Sequence, residues 1–421
     1  MALRTQLVAA VVAVGAVAAP ARARSPKRAD VVTATYHPGR WLRLHLPHHT
    51  RLSFRLILEP LLRYSHVVPP SGNAPDDTVD LIIRRGRVGF QVDADRGVGL
   101  RFEMSVKNMH SEIHNMYGYW RPSEHLELQA GFIKAPGGLE RDTASFDQEF
   151  IERSIITYYN RDHEVGVMLA ATTADARWRA AVAITRDPPA LAGGDPEDSP
   201  QIPAGVEAED LTRASSKWAA EARALAVPDK HLEVSVNGGV RLRPDEPDFG
   251  EIAVEPYDST FLTNRPYRGV MVHVGADAGV AHAHWKVSGE VAFRRDGEQL
   301  AYPDGTVVSE TPLGGHLTAE GGYLVGGWSP CGHFGAAVDA APLRDGWALV
   351  ARVMGQRIDP VDAAAATFGS VELGWHWVAT PNLRVQVDLA VQRFGAADVT
   401  LLDENRGVTR LYGQTWAVFR L

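Results

Sequence analysis

The sequence predicts an all-β fold, a transmembrane antiparallel β-barrel of about 16 strands with both termini in the periplasm. Three observations predict it. Apolar and polar residues alternate with period two over stretches of ten or more residues, which marks long strands with one apolar face. Ordinary strands run about 5–6 residues, whereas a strand that crosses a membrane needs about 9–11. The connections between the stretches alternate between long and short, as they do in outer-membrane barrels. Finally, the chain opens on an export-type leader.

The leader comes first. Arg4 supplies a positive start, and Gln6 to Ala19 is an apolar run too short to span a membrane as a helix. Ala21-Arg22-Ala23 fits the small-x-small cleavage rule. Residues 1–23 are therefore expected to be a signal peptide, and 24–50 a periplasmic N-terminal segment ahead of the barrel at 51–421. Losing Arg4 and Arg22 would move the net charge from −8 to about −10. With 43 Lys and Arg against 51 Asp and Glu, the chain lacks the basic footprint of a nucleic-acid binder. Its single cysteine, Cys331, excludes an intramolecular disulfide framework and a cysteine-rich zinc site.

Alternation is clearest where Leu232, Val234, Val236, Val240 and Leu242 interleave with Glu233, Ser235, Asn237, Arg241 and Arg243. It recurs where Leu383, Val385, Val387, Leu389 and Val391 interleave with Arg384, Gln386, Asp388 and Gln392. Leu100, Phe102, Met104 and Val106 oppose Arg101, Glu103, Ser105 and Lys107 in the same way. Sixteen segments read as strands: 51–64, 79–93, 98–109, 112–121, 125–134, 163–172, 176–186, 217–227, 231–243, 267–279, 281–294, 315–328, 346–358, 370–379, 382–395 and 409–421. Odd-numbered gaps are mostly long and even ones mostly short, which places the short turns and the termini in the periplasm. Two gaps depart from the rule. The third is short, and the twelfth, 329–345, is long and contains room for an extra strand at His333–Asp339. Trp120, Trp178, Trp218, Trp347, Trp375 and Trp377 fall near strand ends, where interfacial aromatics gather.

Several motifs resemble the phosphate-selective porin O and P family. Gly131-Phe132-Ile133-Lys134-Ala135-Pro136-Gly137-Gly138-Leu139-Glu140 is similar to its G-x-x-K-x-P-F-G-x-E, and Phe150-Ile151-Glu152-Arg153-Ser154 to its F-x-E-R-S. Arg161-Asp162, followed by Gly166, resembles R-D-x-G-V, and Ile83–Phe90 resembles an arginine-rich strand of that family. Trp347–Arg352 and Leu373–Trp377 with Pro381-Asn382 resemble its C-terminal motifs. The similarity covers 79–186 and 346–421 and departs from the pattern in spacing. It implies a sixteen-stranded, usually trimeric diffusion channel in the outer membrane of a Gram-negative bacterium.

By parity, the basic residues expected to face the lumen are Arg51, Arg55, Arg85, Arg87, Arg101, Lys107, Arg177, Arg179, Arg241, Arg243, Lys286, Arg294, Arg352 and Arg384. The acids are Glu59, Asp93, Glu103, Glu127, Glu233, Asp277, Glu290, Glu320, Glu372 and Asp388. Arg84 points outward by the same count unless a bulge intervenes. The lumen leans basic, which favours small anions. The long gap 135–162 is expected to fold inward as a constriction loop. A short helix from Ala144 to Ser154, capped by Thr143, would bring Arg141, Asp147, Glu149, Glu152 and Arg153 to the narrowest point.

Catalytic and metal readings have less support. His110 and His114 would chelate on a helix, but on a strand residues four apart lie about 13 Å apart. His282 and His284 share a face about 7 Å apart, without further ligands. No G-x-S-x-G, P-loop or H-E-x-x-H is present. The residues therefore call for no enzyme activity, cofactor or metal. The expected partners are outer-membrane lipid, two further copies in a homotrimer, and small anionic or neutral solutes, with no nucleic acid. Two other classes fit less of the pattern: a barrel serving as an adhesin or structural anchor, and a secreted all-β carbohydrate-active protein.

Overall fold

A computed structural model describes residues 33–35, 42–47, 49–68, 76–107, 110–139, 150, 154, 156, 159, 163–186, 218–254, 259–300, 312–335, 343–359, 361, 365–396 and 409–420. The leader 1–23 lies outside the described residues. Two short strands, β1 (Thr33–Thr35) and β2 (Leu42–Leu46), precede the barrel. The wall then runs β3 (Thr50–Val68), β4 (Asp76–Asp93), β5 (Val98–Lys107), β6 (His110–Ser123), β7 (Leu126–Lys134), β8 (His163–Thr172), β9 (Trp178–Arg186) and β10 (Trp218–Asp229). It continues through β11 (Leu232–Val254), β12 (Ser259–His282), β13 (Trp285–Leu300), β14 (Pro312–Trp328), β15 (Gly346–Asp359), β16 (Ala366–Thr380), β17 (Leu383–Ala396) and β18 (Thr409–Arg420).

Every consecutive pair from β3 to β18 is antiparallel, and β18 returns to β3 with Thr409 opposite Val68 and Arg420 opposite Ile57. Sixteen strands thus close into a ring with no free edge. All sixteen segments read from the sequence are wall strands. The N-terminal hairpin is an addition. β2 pairs with Thr50–Phe54 of β3, on the stretch just beyond the end of β18. β11 and β12 also run further than the alternation does, pairing as far as Val254 and Ser259 through a stretch read as loop.

Alternation sorts the side chains as the period-two rule requires. Leu58, Leu62, Val88, Val182, Val236, Val274, Val353, Leu373 and Leu389 are exposed on the outer face. Their neighbours Ile57, Glu59, Glu233, Asp277, Arg352, Glu372 and Asp388 are buried on the inner one. Most short connections gather at one end of the barrel, although β5 and β6 are separated by only two residues at the other. In the connection before β5, Gly97 at φ 73° lies so close to Arg121 that a Cβ would stand 2.2 Å from its carbonyl oxygen. Tryptophans ring this short-turn end. Trp285 pairs directly with Trp328, and Trp347 with Trp377. Trp328 and Trp347 meet edge-on at 6.3 Å, while Trp375 and Trp377 stack at 6.4 Å. Trp120 and Trp178 join them at this end, whereas Trp218 stands at the other. Trp416 faces inward and is buried.

Two faces differ from the sequence reading. β14 buries Leu317, Ala319, Tyr323 and Val325 inside and turns Glu320 outward, opposite Arg357 of β15. Glu320 is therefore not a lumen acid, because the inner face of β14 packs against apolar residues of the loop. In β4, Glu59 pairs with Arg85 and Pro60 with Ile83, so Arg84 is a bulge residue and turns inward beside Arg85. The bulge sits where Pro60 removes a ladder donor from β3.

Candidate functional site: the lumen and its loop

The inner wall is charged, and most charges find a partner on a neighbouring strand. Glu103 on β5 is the hub of one cluster, with Arg101 at 2.9 Å, Arg87 at 3.6 Å and Arg55 at 3.7 Å. Glu59 faces both bulge-side arginines, Arg84 at 3.5 Å and Arg85 at 3.9 Å. Asp93 receives Arg51 at 2.7 Å and Arg121 at 3.6 Å. Arginine therefore outnumbers carboxylate on the inner face of β3–β5. The opposite arc is different. β12 lies halfway round the ring from β4, and there Asp277 and Glu233 share Arg223, at 3.3 and 3.6 Å, with Glu221 and Glu290 nearby on β10 and β13.

Exposure separates the two arcs further. The side chains of Arg51 and Arg101 keep 37% and 27% of their surface in solvent. Arg241, Arg352, Arg384 and Lys286 each keep 1%. On β3–β5 the cations that keep most contact with water are therefore Arg51 and Arg101, while Arg85, Arg87, Arg55 and Arg84 keep 17%, 11%, 10% and 6%. Arg241 and Arg352 do point inward, but they are buried ion-pair partners: Arg241 of Glu164, and Arg352 of Glu372 at 2.6 Å. Arg179 is exposed at the short-turn end of β9, opposite inward Leu225. Arg177 is not on the wall; it lies in the turn before β9 and pairs with Asp175. The Thr173 hydroxyl and the Arg177 amide hold the Asp175 carboxyl below its usual range. The backbones of Lys107 and Arg243 lie in β5 and β11, and their side chains are outside the described residues.

Over β14–β17 the inner wall is covered by the long connection between β7 and β8. Its described residues turn into the barrel. Phe150, Ile156 and Tyr159 are buried among Leu317, Tyr323, Val350, Met354, Phe368 and Phe394, all from the inner faces of β14–β17. The Arg352 guanidinium stands over the Phe150 ring at 4.4 Å. Gly138 abuts the Glu290 carboxylate, which would have to shift to admit a Cβ there. Arg141, Asp147, Glu149, Glu152 and Arg153, with most of the helix expected at 144–154, lie outside the described residues.

Parity reasoning missed several lumen cations, among them Arg63, Arg84 and Arg223. Arg63 shares the parity of Arg51 and could have been found by continuing the count. Arg84 needed the bulge, which Pro60 on the facing strand signals. Arg223 sits on β10, whose outer face is largely alanine, so the strand showed little contrast. Among the described residues no group of three or more metal-ligating side chains comes together.

No family model matches the chain, and no curated protein sequence matches it. The O and P porin resemblance therefore rests on its motifs alone. Solved structures do match. An anion-selective porin from Comamonas acidovorans superposes with a TM-score of 0.56 at 10% identity, over 88% of this chain and 100% of that one. The trimer form of OmpT, an outer membrane protein of Vibrio cholerae, gives 0.54 at 12% identity, over 88% and 99%. The outer membrane channel DcaP of Acinetobacter baumannii gives 0.52 at 9% identity, over 88% and 97%. At these identities the likeness shows the fold: a closed sixteen-stranded barrel of porin type.

Proposed function

We propose that the protein is an outer-membrane porin, a passive diffusion channel for small hydrophilic solutes that favours anions. The observation that carries the reading is the division of the lumen. The described residues of the loop pack on the inner faces of β14–β17, away from the arginine-rich wall of β3–β5, where Arg51 and Arg101 reach water. Such a barrel places its apolar outer face in lipid, its tryptophan belt at the periplasmic interface and its long loops outside. A solute passing the wetted wall meets more guanidinium than carboxylate, and the low-dielectric walls focus that field. The motifs that resemble the O and P family, and the anion selectivity of the Comamonas porin, point the same way. Phosphate itself is one candidate solute among small anions. A homotrimer fits the trimer form of the Vibrio protein. The loop 135–162 is the constriction in this account.

Two experiments test the reading. The mature chain fractionates with outer membranes as a heat-modifiable band; recovery from the soluble periplasm without detergent refutes membrane placement. Proteoliposomes swell in small neutral and anionic solutes faster than in cations of equal size. Uptake indistinguishable from protein-free vesicles refutes the channel.

A further inference from the structure

Histidines gather at the short-turn end of the barrel. His282 ends β12 and His284 stands in the turn after it, and each meets a histidine of another connection. His282 lies against His231 of the β10–β11 turn, with ring centres 4.9 Å apart. His284 lies against His333, from the connection between β14 and β15, with ring centres 5.1 Å apart. The backbones of this second pair are fixed. The Ser329 amide donates to the His284 carbonyl, and the Arg344 amide to the His333 carbonyl, each at 2.8 Å. The Phe334 amide donates to the Ala283 carbonyl at the same distance. Phe334 and Leu343 are buried together against Ala281 and Ala348, and a single bridge between them stands in place of the strand expected at His333–Asp339. The pair involves none of 336–342, which lie outside the described residues.

The two rings are fixed as well. His284 Nδ1 stands 2.9 Å from the Gly332 carbonyl oxygen. His333 Nδ1 stands 3.3 Å from Asp345 Oδ1, and the same carboxylate accepts the His333 amide at 2.8 Å. A carbonyl and a carboxylate only accept, so Nδ1 of each ring carries a proton and donates it. In the neutral imidazole the lone pair then sits on Nε2. Metal-ligating histidines are held in this way: the second nitrogen donates to a carbonyl or carboxylate that sets the tautomer and the ring orientation. Two imidazoles bound cis to one ion, with bonds of about 2.0–2.1 Å, hold their ring centres about 4.5–5.2 Å apart. The His284–His333 separation falls in that range. Both side chains are exposed, so an ion reaches them from water. Among the described residues no third histidine, cysteine or carboxylate joins them, so water completes the shell.

We propose that His284 and His333 form a binding site for a divalent first-row transition ion that favours imidazole, of the Zn²⁺, Cu²⁺ or Ni²⁺ class. Gly332 and Asp345 orient the two ligands from behind. The bound ion staples the β12–β13 turn to the connection ahead of β15. The site stands apart from the lumen charges and does not depend on the channel reading.

Cu²⁺ is the probe, because it binds such a site most tightly of the first-row ions. The untagged, detergent-folded protein is titrated with Cu²⁺ and followed by calorimetry and electron paramagnetic resonance. The expected result is one tight equivalent whose spectrum carries the splitting of two imidazole nitrogens. His284→Ala and His333→Ala should each lose that equivalent, with heat-modifiability showing the barrel intact. His231→Ala, in the other pair, should keep it. Asp345→Asn leaves both ligands in place but weakens the bond that orients His333, and should lower the affinity about 10–100-fold. A tight equivalent that survives in both His284→Ala and His333→Ala overturns the proposal. So does wild-type binding no stronger than that of the protein lacking both histidines.

Discussion

Replacing Phe150 by alanine should loosen the constriction loop without harming the barrel. Phe150 is 1% exposed, and its ring lies between inner-wall apolar residues and the Arg352 guanidinium. A buried phenylalanine withdraws about 150–200 Å² from water, which at ~25 cal/mol per Å² is an upper value of about 4–5 kcal/mol. Phenylalanine-to-alanine changes in cores cost about 3–5 kcal/mol. Because the wall strands hold each other by a closed ladder, the loss falls on loop docking. A loss of 3 kcal/mol shifts the docked-to-released ratio by about a hundredfold. Ile156 and Tyr159 still anchor the far side, so the loop should fluctuate rather than leave. In a planar bilayer the variant should show larger mean conductance and more open-channel noise than wild type, with heat-modifiability retained. Phe419→Ala, which removes an outward phenylalanine, is the control and should change neither. Wild-type conductance and noise in Phe150→Ala would refute the docking of the loop on β14–β17.

Other outcomes follow from the same wall. Arg85→Gln with Arg87→Gln should lower anion preference in reversal-potential measurements and leave folding intact, since lumen substitutions tune selectivity more than stability. Glu103→Gln should do the opposite to selectivity, because Arg55, Arg87 and Arg101 lose their shared carboxylate. It should also destabilise the barrel by about 1–3 kcal/mol in urea unfolding, because a buried carboxylate loses its charge among three arginines, of which only Arg101 keeps substantial contact with water. Val236→Arg puts a charge on the outer apolar face and should cost about 2–4 kcal/mol near the bilayer midplane, read as loss of folded band in vesicles.

The strands were legible because the barrel imposes one apolar face on long segments, and lipid asks nothing more specific of Val234, Val236 or Leu389. Legibility failed where that contrast failed. The inner face of β14 is apolar because the loop covers it, so Glu320 was assigned to the wrong side. The outer face of β10 is largely alanine, so Arg223 and Glu221 escaped notice. β11 and β12 extend past their alternation through Pro244 and Pro247, beyond the apolar belt, where no lipid enforces a pattern. The charge clusters needed register. That Glu103 gathers arginines from three strands, or that Arg223 reaches Asp277 two strands away, follows from pairing and not from the order of residues. Burial was equally hidden: Arg241 and Arg352 have lumen parity, but only the fold shows them buried, Arg352 beside Phe150 and Arg241 against Glu164.

The most direct test of the central claim is the current carried by the purified, detergent-folded protein in a planar bilayer under a potassium chloride gradient. The account predicts discrete, long-lived conductance steps and a reversal potential on the anion-selective side of zero. Lowering the salt should sharpen that preference as the Debye length grows beyond its value of about 10 Å at 0.1 M. A protein that inserts without conducting, or whose channels reverse on the cation side at every salt concentration, would contradict it.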